Sequence, residues 1–223
     1  MEHFESWKDL LNPEFYIKLG GFWLVLFIVF AETGLFIGFF LPGDSLLFIS
    51  GIMAKSIVAE TFGSFGNDFL DTTALASCIA LSAIIGNEVG YYFGYKTGPS
   101  LYKKQDSFFF KKKYLYQAHD FFEKHGSLAI ILARFLPIVR TFTPIVAGIV
   151  KMDKKKFFRD NVIGGVLWSF LLVYAGHYLQ QILEEQYGFD LKKHLEIIVF
   201  GFILFTTVPV VFKLIFGKPK ERK

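Results

Sequence analysis

Cysteine is nearly absent. Cys78 is the only one in 223 residues, so no intramolecular disulfide and no thiolate metal site can form, and its apolar surroundings mark it as a small buried hydrophobe. Charge is sparse as well: Asp, Glu, Lys and Arg make up 20% of the chain, against about 25% in ordinary soluble domains. Apolar residues take their place, with 53% hydrophobic, 19% aromatic, 29 Phe and a mean hydropathy of +0.43. That balance excludes a soluble globular domain and reads as a polytopic membrane protein. No cleavable leader is expected, because Met1 to Lys18 carries Glu2, Glu5, Asp9 and Glu14 and lacks a basic start followed by a small-residue cleavage site. A net charge of +4 and a pI near 9.0 would suit nucleic acid. The lysines, however, gather in short loops beside apolar segments, where topology accounts for them, so no nucleic-acid partner is expected.

Five apolar stretches are legible: Gly20 to Ile52 with Pro42 inside it, Thr73 to Tyr95, Ser127 to Val150, Asn161 to Leu179, and Leu195 to Phe216. The third is the most informative. It contains Arg134 and Arg140, and a charge near the bilayer centre costs at least about 2.5–3.5 kcal/mol on insertion scales. It also contains Pro137 and Pro144, each of which removes a backbone donor and disfavours helix at the preceding residue. Both flanks are basic, with Lys103, Lys104, Lys111, Lys112 and Lys113 before it and Lys154, Lys155 and Lys156 after it. By the positive-inside rule both flanks are cytoplasmic, so Ser127 to Val150 is expected to be a re-entrant hairpin turning near Pro137 to Thr141. The acidic segments Glu60 to Asp71 and Glu184 to Asp190 suit external loops. Thr73 to Tyr95, Asn161 to Leu179 and Leu195 to Phe216 then become the spans.

An internal repeat supports this scheme. FLPGDSLLFISG (Phe40 to Gly51) and FLPIVRTFTPIVAG (Phe135 to Gly148) both open Phe-Leu-Pro and close on Gly. Each follows a short amphipathic stretch and precedes a span. The expected architecture is all-α: a single integral membrane domain over 1–223, with repeat 1 at about 4–98, repeat 2 at about 108–179 and an additional C-terminal transmembrane helix at about 195–216. Each repeat is a re-entrant helical hairpin plus a transmembrane helix, and the two are inverted, which puts the N-terminus outside. The alternative is an ordinary span over Gly20 to Leu41 with a cytoplasmic N-terminus.

Glu32 and Asp44 are the acidic counterparts of the arginine pair. Carboxylates inside apolar runs face a bundle interior, where they pair or line an ion path, so Glu32 and Asp44 are candidate proton-coupling groups. Arg134 and Arg140 are candidate ligands for a phosphate, since the guanidinium fork donates parallel hydrogen bonds and stays charged when dehydrated. Pro42, Gly43, Pro137, Thr141, Pro144 and Gly148 are supporting positions, with the Thr143 hydroxyl an extra donor. The structural alternative is that the acids merely neutralise the arginines and pin the hairpins together. Gly86, Gly90, Gly94 and Gly98 repeat every fourth residue, which predicts a helix face for close packing. Asn87 and Glu88 within it are weaker site candidates.

Glu32 with PGDSLLFISG, the ladder GNEVGYYFGYKTG and the run RFLPIVRTFTPIVAG together resemble the DedA family of bacterial inner-membrane proteins, also called SNARE-associated or VTT-domain proteins. The resemblance runs from about Gly20 to Leu179. It implies that Glu32, Asp44, Arg134 and Arg140 are essential and that the chain is a multi-pass protein of the cytoplasmic membrane. It further implies movement of lipids, undecaprenyl phosphate or phospholipid, driven by proton-motive force. Asn87 departs from the pattern, since many members carry an acid there.

The expected function is therefore a lipid flippase whose partners are a polyprenyl phosphate or phospholipid and protons, with homo-oligomerisation left open. No metal, cofactor or covalent chemistry is expected. A polyprenyl-pyrophosphate phosphatase is the enzymatic alternative, but it would want a nucleophile and a general acid or base beside the arginines; the hairpin cores contain no histidine and Ser45 is the only obvious hydroxyl next to an acid. A proton-coupled small-solute exporter or antiporter is the third reading.

Overall fold

A computed structural model of the chain describes residues 13–35, 43–103, 112–195 and 201. Every regular element among them is helical. In chain order these are α1 (Pro13–Gly34), α2 (Gly43–Ile52), α3 (Ala54–Phe62), α4 (Asp68–Lys103), α5 (Lys112–Ala133), α6 (Pro137–Ile149) and α7 (Lys154–Tyr187), followed by a 3-10 turn (Leu191–His194). Two are long and apolar enough to cross a bilayer: α4 over Asp68–Ser100, and α7. They contain the expected spans Thr73 to Tyr95 and Asn161 to Leu179. The 33 residues of that α4 segment reach about 50 Å at 1.5 Å per residue, more than a hydrocarbon core of about 30 Å, so the helix tilts or projects beyond it. α2 and α3 meet the same criteria only together, and they bend by 79° where they join. The expected C-terminal span lies outside the described residues except for Leu195 and Gly201, as does Pro42.

Local chemistry sets the ends of the long helices. At the start of α4 the buried Asp71 carboxylate accepts from Ser64 Oγ and from the Phe65 backbone N–H, both at 2.8 Å, while Asn67 Oδ1 accepts from the Phe69 N–H. α7 opens on Asp153, whose side chain accepts from the Lys156 N–H at 2.8 Å, and closes on Gly188 in a left-handed conformation.

The arginine-bearing run breaks earlier than its sequence suggested. α5 ends at Ala133, Arg134 to Leu136 form the turn, and Pro137 already opens α6. Proline's fixed φ suits the first helical turn, where its missing N–H has no intrahelical partner to lose, and it holds Leu136 extended at φ −112°, ψ 103°. Pro144, expected to break the run, lies inside α6, and its ring packs toward Gly90 of α4. Of Gly20 to Leu41, Gly21–Gly34 is a straight apolar helix about 21 Å long, and residues 36–41 lie outside the described residues.

Two pairs of features recur in the two halves. Gly21 in α1 and Gly126 in α5 hold almost the same non-helical backbone, φ 52°, ψ −138° and φ 52°, ψ −128°, so each half begins with a helix kinked at a glycine. The later limbs then cross over. α6 packs against α4 and α2 against α7, each by a reciprocal glycine contact. A Cβ on Gly94 would lie 2.0 Å from the Ile145 carbonyl oxygen, and one on Gly148 2.1 Å from that of Tyr91. In the other pair a Cβ on Gly51 would lie 2.0 Å from the Val173 oxygen, and one on Gly176 2.0 Å from that of Phe48. Backbones can come this close only without side chains. Gly176→Val is therefore expected to push α2 off α7 at a cost of about 1–3 kcal/mol, read as a lowered unfolding midpoint in detergent. Gly201→Ala, with open space around it, serves as the control, and an unchanged Gly176→Val midpoint would contradict the packing.

The interior is divided between two apolar clusters. The larger joins α1, α2, α3, α4 and α7 around Leu46, Leu47, Ile49, Leu75 and Trp168; the smaller gathers Tyr91, Phe122, Ile130, Ala147 and Phe157. Outside, Leu81, Ile85, Phe93, Leu167 and Leu171 are exposed. A surface this apolar faces lipid rather than water.

Candidate functional site

Glu32 in the last turn of α1 and Asp44 in the first turn of α2 meet Arg140 of α6. Arg140 splits its guanidinium fork between them, Nη1 donating to Asp44 Oδ1 and Nη2 to Glu32 Oε1. Glu32 and Arg140 are only 2% and 6% exposed, and the Asp44 side chain 18%. Gly43 stands so close to this cluster that a Cβ on it would fall 1.4 Å from Glu32 Oε2. Trp168 of α7 contacts two members of the triad. Its indole Nε1 donates to Asp44 Oδ1 at 3.0 Å, and its ring lies 4.9 Å from Arg140 Cζ, a cation–π distance.

Arg134, in the turn between α5 and α6, is placed differently. It is 3% exposed, yet the groups its guanidinium meets are neutral amides. Nη2 donates to Asn161 Oδ1 of α7. Asn87 of α4 sits 3.1 Å from that same oxygen; turned so that donors meet acceptors, its amide oxygen accepts from Arg134 Nη2 at 2.8 Å and its nitrogen donates to the Thr33 carbonyl at 2.9 Å. Asn161 Nδ2 in turn donates to Glu88 Oε1 at 3.0 Å and to the Ile84 carbonyl at 3.1 Å. Among the described residues no carboxylate lies within ion-pair distance of Arg134, and its Nε has no partner. Gly164 and Gly165 of α7 leave the room: a Cβ on the first would come within 3.0 Å of Arg134 Cδ, and on the second within 3.3 Å of Nη2.

The structure thus brings Glu32, Asp44 and Arg140 into one cluster, and Arg134, Asn87 and, through Asn161, Glu88 into a second beside it. The expected supporting residues behave unevenly. Gly43 and the buried Thr141 belong to the cluster's neighbourhood on α2 and α6. Gly148 faces the α4 backbone and serves packing, and the Thr143 hydroxyl donates to Val139 O at 2.7 Å within its own helix, so neither adds to the arginines. Sequence reading did not single out Asn161, Gly164, Gly165 or Trp168. The signals were an amide and a mid-span indole N–H in an apolar helix, both of which need partners there.

The model of the VTT domain matches residues 41–178, more than half of the chain and every cluster residue except Glu32. The chain belongs to the DedA family of VTT-domain membrane proteins. Protein DedA of Escherichia coli is 40% identical over 198 residues, covering 87% of this chain and 84% of that one. Inner membrane protein YqjA of Escherichia coli is 31% identical over 176 residues, covering 78% and 74%. An uncharacterised membrane protein of Mycobacterium leprae is 37% identical over 207 residues, covering 90% and 85%. No solved structure matches. Together with two membrane-length apolar helices, the family makes the chain a multi-pass protein of the bacterial inner membrane.

Proposed function

We propose that the protein carries a phosphate-headed lipid, undecaprenyl phosphate or a phospholipid, across the inner membrane together with protons. The observation that carries this reading is that, among the described residues, only one of the two buried arginines is ion-paired. A buried cation in apolar surroundings is costly without a counter-charge. Arg140 has two carboxylates; Arg134 has only amides, in a slot that Gly164 and Gly165 leave for its side chain. A lipid phosphate supplies what Arg134 lacks, while the lipid's chain stays in the bilayer.

Formal charge links this binding to protons. Empty, the two arginines and the two acids Glu32 and Asp44 cancel. A phosphate monoanion would add one negative charge to these four groups in a low dielectric, beside the Glu88 carboxylate, and a single proton taken up by the acid pair offsets it. Phosphate and proton therefore favour each other's entry, a reciprocal coupling. We further read the two halves as an inverted repeat of a re-entrant hairpin and a span. The recurrent glycine kink and the reciprocal glycine contacts support it, and such repeats suit alternating access around a fixed central site. The reading requires no bond to be made or broken, so it is not that of an enzyme.

In proteoliposomes of the full chain, translocation of polyprenyl phosphate or phosphatidylethanolamine is expected to accelerate under an imposed proton gradient, with proton uptake in step with phosphate arrival. Equal rates with and without the gradient would make the acids structural. Movement of neither lipid, alongside saturable uptake of a small solute, would replace this reading with that of an exporter. Release of inorganic phosphate from a polyprenyl pyrophosphate would replace it with that of a phosphatase.

A further inference from the structure

A groove of about 1040 Å³ runs along the outside of α4 and α7, apart from the acid and arginine triad. Its α4 wall extends from Leu81 to Tyr95, about 21 Å of helix, and Phe158 and Val162 form the α7 wall. Apolar side chains dominate both. At the Tyr95 end the lining turns basic, with Lys151 and Lys154. Lys151 reaches over the Tyr95 ring at 5.9 Å and, among the described residues, is the one non-glycine residue held at positive φ, 56°. Asp153 lies between the two lysines, but its carboxylate is engaged by the Lys156 N–H at the start of α7. Midway along the groove stands Glu88, whose Oε1 accepts from Asn161, the same amide that accepts from Arg134.

We propose that this groove is the lateral docking site of one phosphate-headed lipid, its hydrocarbon chain lying between α4 and α7 and its phosphate held by Lys151 and Lys154. The inference rests on the lipid-carrier reading and deepens it by naming where the substrate waits. Charge complementarity selects the occupant: an apolar channel with a basic end takes a long chain with an anionic head. The basic end belongs to the Lys151 to Arg159 flank that the positive-inside rule assigns to the cytoplasmic face, where lysines meet anionic headgroups. Continuity selects the destination. Glu88, which lines the groove, is linked through Asn161 to Arg134, which has no ion-pair partner among the described residues, so the headgroup has this carboxylate and one amide to pass before it meets its counter-charge.

The test is photolabelling of the full chain in phosphatidylcholine vesicles with hexadecyl phosphate bearing a diazirine on its chain, followed by peptide mapping. Labels are expected between Leu81 and Tyr92 on α4 and between Phe158 and Val162 on α7, displaced by unlabelled polyprenyl phosphate. The matching alcohol, which has no phosphate, is expected not to concentrate there. Lys151→Gln with Lys154→Gln is expected to cut groove labelling on the order of tenfold, the loss that two near-surface lysines account for. Lys151→Arg with Lys154→Arg restores it, which separates lost charge from lost folding. Equal labelling by the alcohol, labels spread over all lipid-facing helices regardless of the lysines, or cross-links between two copies through the groove would each overturn the proposal. Diffuse labelling with intact lipid translocation would sink the groove and leave the carrier. Groove labelling without translocation of any lipid would do the reverse.

Discussion

Arg140→Met is expected to destabilise the protein by about 3–5 kcal/mol, because it removes one partner of a buried ion cluster and strands the other two. Glu32 is almost completely buried, and Arg140 is the donor to its Oε1; Gly43 crowds Oε2 too closely for the side chain to swing away on that side. Asp44 keeps the Trp168 N–H but loses its cation. The measurement is the unfolding midpoint of purified protein in detergent. Adding Glu32→Gln and Asp44→Asn to Arg140→Met is expected to recover most of the loss, since three neutral groups replace two stranded charges. A midpoint for the single variant equal to that of the unaltered chain would mean that the cluster is not a buried ion network.

Arg134→Met is expected to do the opposite in both respects. Its midpoint stays within about 1 kcal/mol of the unaltered chain or rises, because no carboxylate loses a partner and an insertion cost disappears. The two amides it leaves can satisfy one another: with no guanidinium to meet, the Asn87 amide can turn back so that its Nδ2, rather than its oxygen, faces Asn161 Oδ1 and donates to it at 3.1 Å. Methionine's unbranched chain also fits the slot cleared by Gly164 and Gly165. Lipid translocation, in contrast, is expected to fall about a hundredfold. Hydrogen bonds to a charged group are worth about 1.5–3 kcal/mol, and each 1.4 kcal/mol is a factor of ten. The pair of variants separates two roles that sequence alone had merged, a structural cation and a ligand cation. If both variants unfold, or if Arg134→Met still moves lipid at the unaltered rate, that division fails.

The legible part of the molecule was what hydrophobicity forbids. Charges at Glu32, Asp44, Arg134 and Arg140 stood out because apolar runs exclude them, and the spans inside α4 and α7 stood out as long apolar runs bounded by charged loops. Pairing was not legible, since nothing in the order of residues says that Arg140 takes both acids while Arg134 takes amides. Nor was the turn. Pro137 reads as a breaker, but at a helix start it is an initiator, and the difference lies in whether its missing N–H would have had a partner. Asn161, Gly164, Gly165 and Trp168 were passed over because α7 was read for its average, and an average hides the few polar or small positions that face inward.

The crossed packing of the limbs has a consequence for how the chain is made. Trp168 bonds Asp44 across 124 residues, and Arg140 meets Glu32 across 108. At synthesis rates of about 5–20 residues per second, the first half waits on the order of 5–25 s beside the ribosome before its partners emerge. Throughout that interval two acids sit in or beside the bilayer with neither the cation nor the indole that will cover them. A ribosome that stalls before α6 thus leaves a membrane fragment with unmatched charge, the kind of exposed defect by which quality-control proteases distinguish an unfinished chain from a finished one.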